Sequence, residues 1–161
     1  MAVHTMTAAE PRMTLAEARI WLAGLVPSAD RLRLEAVDGP RVVCSAGPDG
    51  LELRPDSGAI SGPALFWAVD LAGFVAVNVL LGPSPAIVLA HGDISFLHPA
   101  EPGTLRVSAE VVSVASRSAV VTVQAADRSG HLVAVSTLHF ALPSRATRGF
   151  ALGAQADQAA T

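Results

Sequence analysis

The feature that most limits what this chain can fold into is an apolar run near its middle. From Ser57 to Leu81 it reads S-G-A-I-S-G-P-A-L-F-W-A-V-D-L-A-G-F-V-A-V-N-V-L-L, with one acid, Asp70. Gly62-Pro63 marks a helix start, because proline is tolerated at a first helical position, where its missing N–H has no intrahelical partner. The spacing predicts a single helix over 62–81, about five turns long. Phe66, Trp67, Gly73 and Phe74 stand three or four residues from Asp70 and share its face. The other side, with Leu65, Val69, Leu71 and Val75, is no more polar. A helix that is apolar all round is buried in protein or in lipid.

Length alone nearly admits a membrane span. Against it, Asp70 near mid-depth would cost about 2.5–3.5 kcal/mol on insertion scales. The run also lacks flanking basic residues, and the sequence after it alternates like strands. A core helix wrapped by a sheet is therefore expected, and no membrane. Only 16% of residues are charged while 51% are hydrophobic, so part of the surface is expected to be buried against another subunit. A formal net charge of −3 gives no electrostatic case for nucleic acid. The one cysteine, Cys44, excludes an intrachain disulfide and a cysteine-clustered metal site, and its V-V-C-S context reads as core. The start of the chain has no basic region followed by an apolar segment, so the cytoplasm is the expected location.

In chain order, residues 1–12 and the tail from 143 to 161 are expected to be unstructured, leaving one domain over 13–142. Thr14 and Glu17 form a capping box that opens a helix with Leu15, Ala18, Trp21, Leu22 and Leu25 on one stripe, ended by Pro27. Alternating residues Leu32–Val37 and Arg41–Ser45 flank Asp38-Gly39, a hairpin signal. Gly47-Pro48-Asp49-Gly50 is a turn, and Leu51–Arg54 a short extended piece. The central helix then ends at Gly82-Pro83-Ser84-Pro85. Four further strands follow, over Ala86–Leu97, Thr104–Ala115, Ser118–Ala126 and His131–Leu142, read as an antiparallel meander. The sum is an α+β domain in which a strongly curved sheet surrounds the helix.

Three passages carry a family resemblance: Ser61-Gly62-Pro63 with Asp70 nine residues after Ser61; Phe96-Leu97-His98-Pro99-Ala100 followed by Pro102-Gly103; and Asp127-x-x-Gly130-x-Leu132-Val133-Ala134. In this order they resemble the hotdog-fold thioesterases of the PaaI type, over about residues 30–142. The resemblance implies a hotdog fold and hydrolysis of an acyl-CoA thioester. It makes Asp70 the catalytic carboxylate, as nucleophile or as the base that activates water, and makes the Gly62 N–H the donor to the thioester carbonyl. It implies a dimer or a tetramer of paired dimers, with the acid of one subunit facing the turn of another. No metal or other cofactor is implied; coenzyme A enters only with the substrate.

Physics agrees with those two roles. An N–H at a helix N-terminus is unpaired and carries the positive end of the dipole, and a carboxylate among apolar groups has a raised pKa. Further candidates for substrate binding are Ser61 at the turn, Phe66, Trp67 and Phe74 along the helix, His91 on a strand face shared with Asp93 and Ser95, and Arg117 between strands. Ser61 takes the place of the family's turn histidine, Pro63 that of a second glycine, and Pro55 that of an asparagine. Those departures leave a second reading, a non-catalytic acyl-CoA-binding hotdog protein. A hydratase is disfavoured because residues 62–81 contain no histidine.

Overall fold

The computed structural model describes residues 10–25 and 31–143. Within them the elements run α1 (Leu15–Leu25), β1 (Leu32–Asp38), β2 (Arg41–Ala46), α2 (Gly62–Leu81), β3 (Val88–Phe96), β4 (Leu105–Val114), β5 (Ser118–Ala126) and β6 (Leu132–Ala141), with a 3₁₀ turn at Pro48–Gly50. Pro27, the segment 1–9 and the tail from 144 lie outside the described residues.

The Thr14–Glu17 capping box forms in both directions. Thr14 N–H donates to Glu17 Oε2 at 2.8 Å, and Glu17 N–H to Thr14 Oγ1 at 3.3 Å. Helix α1 buries Ala18 and Leu22, while Trp21 stacks on Phe74 of α2 with ring centroids 5.8 Å apart. Leu25, expected on the buried stripe, is 37% exposed.

Six strands make one antiparallel sheet in the order β1-β2-β4-β5-β6-β3. The last four strands are thus not a simple meander: β3 pairs with β6, not β4. The reason lies in the connection. Residues 97–104 include Pro99 and Pro102, too long and too stiff for a tight hairpin. They cross instead below the start of α2, where Ala100 is buried and its carbonyl accepts from Ile60 N–H at 3.0 Å. Strand β3 is left as an edge.

The sheet curves around α2, the hotdog arrangement, and the helix buries Ala68, Val69, Ala72, Val75 and Val79 with the inward residues of β2, β4, β5 and β6. At Gly73 the approach is closest: a Cβ there would lie 2.6 Å from Leu138 Cδ1 and 3.2 Å from Phe140 Cε2, so only glycine fits without displacing both. Gly73 therefore faces the sheet rather than sharing Asp70's face. Asn78, fully buried, closes the helix, donating to Phe74 O at 2.9 Å and accepting from Ser84 N–H at 2.8 Å. Helix α2 is long and apolar enough to cross a bilayer, but it is the core helix of the domain, with 61% of its most apolar window buried in protein.

The β5–β6 turn is held by Asp127. Burial raises its pKa, but N–H donors from His131, Glu101 and Ser129 outweigh this and hold the carboxyl below the usual carboxylate range. Asp127→Ala is expected to lower unfolding stability at pH 7 by about 1–3 kcal/mol, read from urea denaturation. A depressed folded pKa stabilises fully above the unfolded value near ~3.9 and less as pH falls through the folded value. The gap between wild type and variant should therefore narrow below about pH 4.

Candidate functional site

At the head of α2, Ser61 takes the N-cap: its backbone is extended (φ −70°, ψ 153°) and its Oγ accepts from Ala64 N–H at 3.3 Å. Its own N–H donates to Glu52 O at 2.8 Å, tying the turn to the preceding segment. Gly62, the first helical residue, has no acceptor for its N–H among the described residues, as its position dictates. That donor, with the dipole behind it, borders a cavity of about 440 Å³.

Arg54, Ser57, Phe96 and His98 line the same cavity. The Phe96 ring, 52% exposed, stands over the glycine, with Cζ 3.6 Å from where a Gly62 Cβ would be. Arg54 is held by Asp56, Nε to Oδ1 at 3.0 Å, which raises the pKa of the guanidinium and lowers that of the carboxyl. From sequence, His98 reads only as an exposed strand end and Arg54 as part of a short extended piece. What brings His98 to Gly62 is the crossing of residues 97–104, which local patterns do not encode; Arg54 is placed by the short Leu53–Ile60 bridge, its N–H donating to Ala59 O at 2.8 Å.

Asp70 lies on the one stripe of α2 that the sheet leaves uncovered. Pro63 is exposed there, and Phe66, Trp67, Asp70, Leu71 and Phe74 are half-buried. The carboxylate is thus less enclosed than an all-apolar helix suggests. Burial nonetheless raises its pKa above the ordinary value, and no described group hydrogen-bonds it in compensation. An unpartnered carboxylate on an apolar face is a base without a structural task.

The other expected residues are dispersed. Phe66 and Trp67 flank Asp70, while Phe74 is partly covered by Trp21. His91 sits on the outer face of β3, away from α2: its neighbour Gly92 points inward, where a Cβ would be 3.7 Å from Phe66. Arg117 lies in the β4–β5 turn, its carbonyl accepting from Leu142 N–H, at the C-terminal end of α2. One chain does not bring His91 or Arg117 to the Gly62 cavity. Cys44 is fully buried, and burial, with Glu35 nearby, pushes its thiol up to about 12, so it is inert. Among the described residues no three or more potential metal ligands are gathered together.

Residues 57–134 match the family model of the thioesterase superfamily, a span that holds Gly62, Asp70 and the Asp127 turn. No curated protein matches the sequence. Among solved structures, a thioesterase candidate from Silicibacter sp. TM1040 superposes with a TM-score of 0.78 at 21% identity, over 85% of this chain and 96% of that one. Zebrafish thioesterase superfamily member 2 gives 0.70 at 18% identity, over 81% and 99%. The PaaI protein from the phenylacetic acid degradation operon of E. coli gives 0.69 at 18%, over 81% and 94%. At these identities the likeness establishes the fold.

Proposed function

We propose that this chain, whose residues 57–134 match the thioesterase superfamily model, hydrolyses acyl thioesters of coenzyme A. The observation that carries the reading is the pairing, within the matched span, of a free helix-terminal N–H at Gly62 with the unpartnered, pKa-raised carboxylate of Asp70. Asp70 takes a proton from water, and the resulting hydroxide attacks the thioester carbonyl carbon. Gly62 N–H holds the oxyanion as it forms. The C–S bond then breaks, and the departing thiolate takes the proton back from Asp70, giving a carboxylic acid and free coenzyme A. In the variant in which Asp70 is the nucleophile, its oxygen forms a mixed anhydride that water opens to the same products. No metal or redox group is required.

Eight residues of helix separate Gly62 from Asp70, about 12 Å along the axis. One carbonyl cannot reach both in one chain, so the site is built between two copies related by a twofold axis, two sites per dimer. The uncovered apolar stripe of α2 and the edge strand β3, with Val88 54% and Phe96 52% exposed, offer the surface for it. Dimers pair further into a tetramer in this reading, and the location is the cytoplasm. Phe66 and Trp67 receive an apolar or aromatic acyl group, and Ser61 orients the turn. His91 and Arg117 contact substrate only by way of a second copy.

The second reading, acyl-CoA binding without turnover, is favoured by one observation: the Ser61 hydroxyl that replaces a turn histidine is spent on capping Ala64 N–H. A panel of short, medium, long and aromatic acyl-CoAs separates the two. Thiol release on at least one member supports hydrolysis and names the acyl class, whereas saturable binding with no release supports the second reading.

A further inference from the structure

Away from the Gly62 cavity, two imidazoles face each other across the sheet edge. His91 of β3 is the register partner of His139 of β6, both exposed, with ring centroids 5.7 Å apart in an edge-on arrangement. Neither side chain hydrogen-bonds a described residue, so no packing or bonding task explains their pairing. The sheet makes a local adjustment to produce it: the β3–β6 register shifts between Leu89 and His91, a bulge at Ala90. Leu89 pairs with the inward Phe140, so unbroken alternation would turn His91 inward as well. The extra residue turns it outward, onto the face of His139. Asp93 follows two residues along the same face.

We propose that His91 and His139 form a chelating site for a borderline divalent cation such as Zn²⁺ or Ni²⁺. Neutral imidazole is a preferred ligand of these ions. Two imidazoles on one tetrahedral zinc, with bonds of about 2.0–2.1 Å, hold their centroids roughly 5 Å apart, within a small side-chain rotation of the distance here. Water completes the coordination, and the Asp93 carboxylate adds favourable charge and an outer hydrogen-bond acceptor. With two protein ligands the site is an exchangeable one, in the micromolar range, and lies away from the Gly62 cavity of its own chain. Its consequence is mechanical: a cation held by both strands pins the edge strand β3 to β6.

Calorimetric titration of the chelator-treated protein with ZnCl₂, with MgCl₂ as control, tests this. Saturable micromolar zinc binding and no magnesium binding are expected. His91→Ala and His139→Ala should each weaken zinc at least tenfold, whereas His98→Ala and His131→Ala should not. At a hundredfold excess over the Kd, zinc should raise the Tm of wild type by roughly 5–10 °C and leave His139→Ala unmoved. Both histidines are exposed, so the variants fold. No saturable zinc binding below millimolar, or zinc binding unchanged in both His91→Ala and His139→Ala, overturns the proposal.

Discussion

Asp70→Asn is expected to lower thiol release from the best acyl-CoA by about 10²–10⁴-fold while the protein stays folded and assembled. The amide has the shape of the carboxylate but cannot take a proton from water or form an anhydride. No hydrogen bond or ion pair to a described residue is lost with the charge, since Asp70 makes none among them. The stability effect has the opposite sign from the usual active-site lesion. Burial raises Asp70's folded pKa above its unfolded value, so the folded state binds the proton more tightly, and above that range the ionised carboxylate opposes folding. At pH 7 the asparagine variant should therefore melt no lower than wild type, and slightly higher if assembly is unchanged. Wild-type activity should fall as pH drops through the raised Asp70 pKa, higher than an ordinary carboxylate would give. Unchanged turnover in the variant would remove Asp70 from the chemistry.

Gly62 can be tested without disturbing the turn. Proline is suited to the first helical position, and the residue before it, Ser61, already has the extended backbone that proline demands (φ −70°, ψ 153°). Gly62→Pro thus deletes one N–H and little else. Loss of a single oxyanion donor should lower kcat by about 10²–10³-fold, with KM changed far less. Gly62→Ala is the control. Its new methyl would meet only Phe96, at 3.6 Å, an ordinary contact, and it keeps the donor. Alanine should retain most activity. Equal losses in both variants would mean that space at Gly62 matters and the N–H does not.

The helices and most strands were legible because their ends are written in single residues. Gly62-Pro63 and Gly82-Pro83 bound α2 at the residues where the helix begins and ends, and Thr14 with Glu17 opens α1. The hairpin at Asp38-Gly39 and the turn anchored by Asp127 likewise follow from local chemistry. What sequence did not yield is what depends on partners far along the chain. Alternation in β3 gives its faces but not its neighbour, so its place beyond β6 was missed, and with it the crossing that carries His98 to Gly62. The composition of α2 is apolar on every side and cannot tell which side stays open. The closeness of Leu138 and Phe140 to Gly73 sets that orientation, leaving Asp70 on the uncovered stripe. The His91–His139 pair hides behind the bulge at Ala90, an irregularity with no signature in the pattern of residues.

The central claim is that Asp70 of one copy and Gly62 of another act on a single thioester. The direct test is to co-express Asp70→Asn and Gly62→Pro chains and measure thiol release from the mixed assemblies. A mixed dimer with shared sites holds one intact site and one doubly defective site. Random pairing makes half the dimers mixed, so activity should recover to about one quarter of wild type from two nearly inactive parents. Mixed assemblies no more active than their parents would contradict the claim and place both groups' effects within a single chain.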